Sequence, residues 1–386
     1  MNDIFFELPD ILAGRIQRAN EYMLKKVGEH VKRIGMLLPS DLHRANELRR
    51  ASVDVRDIER EIANATNKTI SEVQYMLEQV ALDGFEAARA LYEYRGIEYI
   101  PLAENELVQR FIASVSERTA KTLWNLSQTT ALQIWKNGKA TPIIFAGGYK
   151  DIIDQAVTNA SLGVQDFNGA MRHSLRQLGE SGLRTMEYES GYTRRLDSAV
   201  RMNLLEGIRQ VNQGVQKQIG EKIGADGVEI SAHGFCAPDH ADIQGKQLSM
   251  KDYEVWDKAH AYPARQIGKL NCQHYLMYII MGVSEPVHSP EELEALNKRN
   301  NEGVTYEGKH YTGYEATQMQ RQLESQIRAE KDKQILAAAS GDDVLRREAQ
   351  TKINLLTNKY RSFSNASGLR YKSNRTSVTD FRRVKV

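Results

Sequence analysis

Both cysteines, Cys236 and Cys272, lie between His233 and His288, together with five of the nine histidines (His233, His240, His260, His274 and His288). The stretch reads S-A-H-G-F-C-A-P-D-H-A-D-I-Q-G-K, and later L-N-C-Q-H-Y-L-M-Y-I-I-M-G. Thiols and imidazoles are the side chains that hold zinc, and a thiol beside an imidazole makes a nucleophile with its base. His233, Cys236, His240, Cys272 and His274 are therefore the candidate chemistry of the chain. Their C-x3-H and C-x-H spacings are not those of common zinc fingers or ribbons. Three readings stay open: a structural metal, a Cys/His or His-based metal hydrolase such as a nuclease, and a set of polar pins. In the last, His233 and His240 bond loop backbone, Cys272 is a small buried residue, Asn271 caps a turn, and Gly245 makes a bend at positive φ. A loop-rich module needs such pins, because its buried backbone groups must be satisfied.

Positioning this cluster falls to a chain of 386 residues, long enough for two or three domains. A net charge of +2 with 26% charged residues excludes both a polyanion mimic and a histone-like condenser. Eight prolines favour long helices. Two cysteines cannot make a disulfide framework. The N-terminus lacks a basic segment followed by an apolar one, so no signal peptide is expected. The most apolar stretches, 141–147 and 275–282, fall far short of the ~20 residues of a membrane helix.

Residues 1–147 read as a helical domain. Met23, Val27, Val31 and Ile34 share one helical face, Leu38-Pro39-Ser40 ends that helix, and Thr69-Ile70-Ser71-Glu72 has capping-box spacing before Val73, Met76, Leu77 and Val80. Gly96–Pro101 interrupts; a further helix through Val108, Ile112 and Val115 is expected to continue toward Ile134 and Trp135. Residues 148–224, after the Gly147-Gly148 joint, read as a long-helix connector. Ile153, Val157, Ala160, Val164, Phe167, Met171, Leu175 and Leu178 stripe one helix. Leu196, Val200, Leu204, Ile208, Val211, Val215 and Ile219 stripe the next. Residues 225–313 form a small α+β module, with strands expected at 227–232 and 244–249, a strand or short helix at 275–281, and a hairpin at 304–311. Residues 314–361 are polar helices, a solvated strut on which Glu324 and Arg328 make an exposed pair worth about 0.3–0.5 kcal/mol. Residues 362–386 form a flexible basic tail: Arg370, Lys372, Arg375, Arg382, Arg383 and Lys385 against Asp380. The fold class expected is mainly α, elongated, with a small α+β module.

H-x6-H-A-x2-Q-G-K, then N-C-x-H, then an apolar strand and G-V-S-E resembles the C-terminal module of tailed-phage minor capsid proteins. The family is phage minor capsid protein 2, a relative of the Mu F-like head morphogenesis proteins. The matching residues are His233, Pro238, His240, Ala241, Gln244, Gly245, Lys246, Asn271, Cys272, His274, Gly282, Val283 and Ser284. Flanking blocks extend the resemblance over about 151–385. Ala237, Ile243 and Gln273 depart from the family's usual Arg, aromatic and Arg, which weakens an anion-binding role for the loop. Cys236 replaces a small residue, so a metal site of the family would use His233, His240, Cys272 and His274; without a metal these four form a structural motif with Pro238, Gln244, Gly245 and Asn271.

The resemblance implies a structural head protein, not an enzyme. It would be assembled in a bacterial host cytoplasm, placed at the portal vertex, and active in head assembly and DNA packaging or delivery. The implied partners are portal protein, major capsid protein or further copies of the chain. The six basic tail residues would supply non-specific DNA contacts. No cofactor is called for, apart from a structural zinc. The alternative remains a metal-dependent or His-based hydrolase.

Overall fold

Apolar residues recurring every three or four positions wind most of the chain into helices that must bury one stripe each. The computed structural model describes residues 4–35, 55–136, 139–145, 167–187, 192–260, 266–268 and 272–385. Among them are nine α-helices: α1 Ile4–Gly35, α2 Val55–Arg95, α3 Glu106–Gln128, α4 Phe167–Ser181, α5 Leu196–Ile223, α6 Met250–Ala259, α7 Pro290–Glu302, α8 Gly313–Ser340 and α9 Asp343–Ser367. A four-stranded sheet of order β2-β1-β3-β4 is built from β1 Thr130–Lys136, β2 Lys139–Ile144, β3 Arg184–Met186 and β4 Thr193–Arg195. A three-stranded sheet of order β6-β5-β7 is built from β5 Gly227–Ile230, β6 Gln247–Ser249 and β7 Leu276–Ile279. The hairpin of β8 Val304–Tyr306 and β9 Lys309–Tyr311 turns at Glu307 and Gly308, both at positive φ, as a two-residue turn demands. The protein is mainly α with a small α+β module.

One apolar core runs from Leu12 on α1 to Val378 near the C-terminus. Met23, Val27, Val31, Val73, Met76, Leu77 and Val80 all lie in it, as does the whole stripe of α5. α5 packs on α1, α2 and α3, and α8 runs along α1, α4 and α9. The boundary expected at 147/148 therefore falls between residues that share a single core, and the described part of 148–224, residues 167–187 and 192–224, packs into that core instead of connecting two domains. A helix with so complete a stripe needs partners, and three helices from the first part of the chain supply them. Gly28 lets α1 approach α8 so closely that an added Cβ would stand 2.6 Å from that of Ala339. At Gly179 it would stand 2.8 Å from the Cα of Lys333, on the α4–α8 crossing.

Other expectations change with this packing. Thr69–Glu72 lies inside α2 and starts nothing: the Thr69 hydroxyl donates to Ala65 O at 2.9 Å and Ser71 to Lys68 O at 2.8 Å, which accommodates both in mid-helix. α3 stops at Gln128, and Ile134 and Trp135 belong to β1, whose neighbours β2 and β3 compete successfully with the helix. α8 is no solvated strut. Glu324 is buried and accepts from the Tyr360 hydroxyl at 2.8 Å, while Arg328 donates to Arg375 O at 2.6 Å, so the exposed 324–328 pair does not form. Leu38–Ser40, Gly147-Gly148 and Ile153–Val164 lie outside the described residues.

A buried knot of polar groups ties α1, β4 and α8. Asp332 accepts from Arg195 at 2.6 Å and from Gln17 and Asn20 at 3.1 Å each. Asn20 in turn accepts the Leu183 N–H at 2.7 Å. Burial opposes the charge on Arg195, but Asp332 and Asp197 beside it outweigh that penalty and hold it protonated.

The tail is not flexible in the sense expected. α9 continues to Ser367, and residues 368–385 lie back across the body. Lys331 donates to Thr376 O at 2.6 Å, and the Glu21 carboxylate accepts the Thr379 and Asp380 N–H groups at 3.0 and 2.8 Å. Gln350 accepts the Val384 N–H at 3.0 Å. A segment too polar to form a core is held because other helices supply the partners its backbone requires.

Candidate functional site

The α+β module grows from β5, a strand buried along its whole length and paired with β6 and β7 on either side. Val228, Ile230, Ile243 and Ile267 form its core, with Tyr253, Trp256 and Tyr278 packed around them. Leaving β5, the chain passes His233 and enters a 3₁₀ turn at Pro238–His240, with proline in the first turn where its missing N–H is harmless. It then bends at Gly245, φ 71°, where an added Cβ would also strike Leu293. The Gly245 N–H donates to Ile230 O at 2.8 Å, which folds the loop back over the end of β5. Cys272 and His274 sit just before β7 and arrive at that same end, because Ile230 pairs with Leu276.

His240, Cys272 and His274 converge there, with one ligand-type atom from each lying within 4.8 Å of the others. Cys272 Sγ is 3.4 Å from His240 Nδ1 and 3.3 Å from His274 Nδ1. His274 Nε2 is 3.3 Å from Gln244 Oε1, which also accepts the His233 N–H at 3.2 Å. Gln244 donates to Asn297 Oδ1 at 2.7 Å, and Asn297 donates to Ala241 O at 3.1 Å. The His233 ring lies 4.3 Å from that of His274, centroid to centroid. Its Nδ1 is 3.0 Å from Gly234 O, and its Nε2 is buried without a hydrogen-bond partner. His240 and His274 are themselves buried, and Trp256 covers His240 at 6.0 Å between rings.

The two cysteines occupy different worlds. Burial would raise the Cys272 thiol, but the hydrogen bond from His240, backbone N–H groups and the His240 charge bring it below the usual thiol value. Burial pushes Cys236 up to about 11; it lies beside Asn300, which donates to its carbonyl at 3.2 Å. Four of the five candidate residues are thus gathered, and Cys236 stands apart. Pro238, Gln244 and Gly245 shape the loop as their types suggest; Asn271 lies outside the described residues.

A family model described as phage minor capsid protein 2 matches residues 12–365. The chain belongs to the phage minor capsid protein 2 family. No curated protein and no solved structure matches it significantly. The match covers the first helices as well as the α+β module, so body and module are one family unit. Membership makes this a minor capsid protein of a phage head, a virion component. No described helix is long and apolar enough to cross a membrane.

Sequence reasoning missed Asn297 and Asn300, both on α7. The signal was present: S-P-E-E at 289–292 is a capping box, with Ser289 and Glu292 each bonding the other's backbone N–H. Of the basic set in this minor capsid protein, Arg370, Lys372, Arg382, Arg383 and Lys385 are exposed. Arg375 is spent inward, 3.1 Å from Asp10, which Arg201 also engages.

Proposed function

We propose that this minor capsid protein sits at the portal vertex and acts in head assembly by binding, not by turning over a substrate. The observation that carries this reading is the family match across both the helical body and the module. Portal protein, major capsid protein or a second copy would dock on the body, and assembly would take place in the host cytoplasm. The exposed tail residues Arg370, Lys372, Arg382, Arg383 and Lys385 would give salt-dependent, sequence-independent phosphate contacts during packaging or delivery.

Quantitative mass spectrometry of purified virions tests it, together with deletion of the gene. The expected result is a copy number matching the portal ring and loss of filled heads on deletion. Normal infectious heads without this polypeptide would overturn it. One observation favours a second reading, a hydrolase: the Cys272 thiol, lowered, 3.4 Å from His240. Against it stands the burial of His240 under Trp256. Multiple-turnover hydrolysis that disappears in a folded His240→Ala variant would establish the enzyme.

A further inference from the structure

We propose that His240, Cys272 and His274 are the protein ligands of a zinc centre that staples the loop end of the α+β module, with the His233 ring packed against His274 beside it. The distances fit a cation as well as they fit thiol–imidazole hydrogen bonds. A tetrahedral zinc with Zn–S of about 2.3 Å and Zn–N of about 2.0–2.1 Å holds a sulfur and a nitrogen ligand roughly 3.6 Å apart. The observed Sγ–Nδ1 separations are 3.4 and 3.3 Å, and all three ligand atoms fall within 4.8 Å.

The surrounding bonds set the lone pairs of two of the imidazoles, His274 and His233. His274 Nε2 faces an amide oxygen, Gln244 Oε1, to which it donates; its Nδ1 then carries the lone pair that faces Cys272. His233 Nδ1 faces the Gly234 carbonyl and donates to it, so its Nε2 carries a lone pair with no donor near it. Metal-binding imidazoles are oriented in this way, by a second nitrogen bonded to a carbonyl. A relay of hydrogen bonds through Cys272 satisfies His240 and His274 but leaves His233 Nε2 unserved. Mixed thiolate and imidazole donors select zinc over magnesium or calcium. Gln244, braced by Asn297, is the outer support that sets the His274 ring and the His233 N–H at once.

The inference is independent of the portal role, and its test needs only the purified full-length chain. After dialysis against chelator, the chain is titrated with Co²⁺ and then with Zn²⁺. The expected result is one equivalent bound, with the visible bands of tetrahedral Co²⁺ and a thiolate-to-cobalt band. Cys272→Ser should abolish the thiolate band and Cys236→Ser should leave it. Gln244→Ala should keep the stoichiometry and weaken binding about 10–100-fold. Should Cys272→Ser fail to fold, alkylation of the wild-type chain decides: zinc should shield Cys272 and leave Cys236 unaffected. Absence of tetrahedral cobalt bands, or a thiolate band that follows Cys236, overturns the proposal.

Discussion

Two buried polar clusters, one in the helical body and one in the module, solve the same problem by opposite means. The knot around Asp332 pairs its carboxyl group with Arg195, against a burial that raises the Asp332 pKa, and adds amide donors from Gln17 and Asn20. The cluster around Cys272 gathers imidazoles and a thiol whose charges depend on protonation or on a bound cation. The first joins residues hundreds of positions apart and locks the body's topology. The second joins residues 233 to 274 and holds one loop end. The difference teaches that burial of polar groups reports function only after their charges are counted: the knot sets a guanidinium between two carboxylates, whereas the cluster has no fixed opposite charge and leaves the His233 Nε2 without a hydrogen-bond partner.

The largest expected effect tests the knot. Asp332→Ala leaves Arg195 buried with Asp197 as its one acidic partner and strips the Gln17 and Asn20 amides of their acceptor. Breaking one side of a buried pair costs about 3–5 kcal/mol. Urea unfolding should show this as a lower midpoint with an unchanged slope. A loss under ~1 kcal/mol would mean the knot is solvated and the contrast with the module is false.

Legibility followed the same division. Stripes such as Leu196 to Ile219 were plain, since a single helix repeats its own signal. The 304–311 hairpin was legible from its Glu-Gly turn, and the His/Cys cluster from its crowding in the chain. What the sequence hid were partners. Glu324 and Arg328 read as a surface pair because nothing local says that Tyr360 and Arg375 come to meet them. The tail read as free because Glu21, 358 positions from Thr379, is not a local signal. Gln244 was recognised by resemblance, but Asn297 behind it needed the fold.

A second test separates a charge that is compensated from one that is not. Burial pushes Glu21 up to about 7, against the lowering pull of the Thr379 and Asp380 N–H groups. A carboxyl whose folded value is raised binds its proton longer folded than unfolded, so its contribution is fully present below pH ~4.5 and is lost as pH rises through about 7. Stability should therefore fall by at most about 3 kcal/mol between those limits on this account. Glu21→Gln should flatten the dependence, as followed by thermal melts across that range. An unchanged slope would show that the tail leaves Glu21 open to water.

Tyr360→Phe comes next. The hydroxyl donates to Glu324 and accepts the Lys372 N–H at 3.1 Å, so its loss leaves a buried carboxylate short of a donor. A cost of about 2 kcal/mol is expected, since hydrogen bonds to charged groups are worth about 1.5–3. Hydrogen exchange should show the protection lost around residues 368–376 more than in α5. Uniform loss would mean that the tail strap and the core open together.

Gln244→Ala should have the smallest effect on global stability, and its location matters more than its size. The side chain serves the His233 N–H, the His274 ring and Asn297, in a loop where Cys272 and His233 are only partly buried. Water can replace part of what is lost, so about 1 kcal/mol is expected, not the price of an orphaned charge. Exchange should accelerate at residues 231–245 and at 274–276, where the loop bonds to β5 and β7, while α1, α5 and α8 keep their protection. The module meets the body where Gly220 of α5 faces Tyr278 of β7, where Gly268 faces Gln213 of α5, and where Gly313 of α8 faces Phe235 and Asn300, so these contacts are the routes by which a local defect could spread inward. If α5 lost protection as well, module and body would be one cooperative unit, and the cluster would be as much a part of the global fold as Asp332.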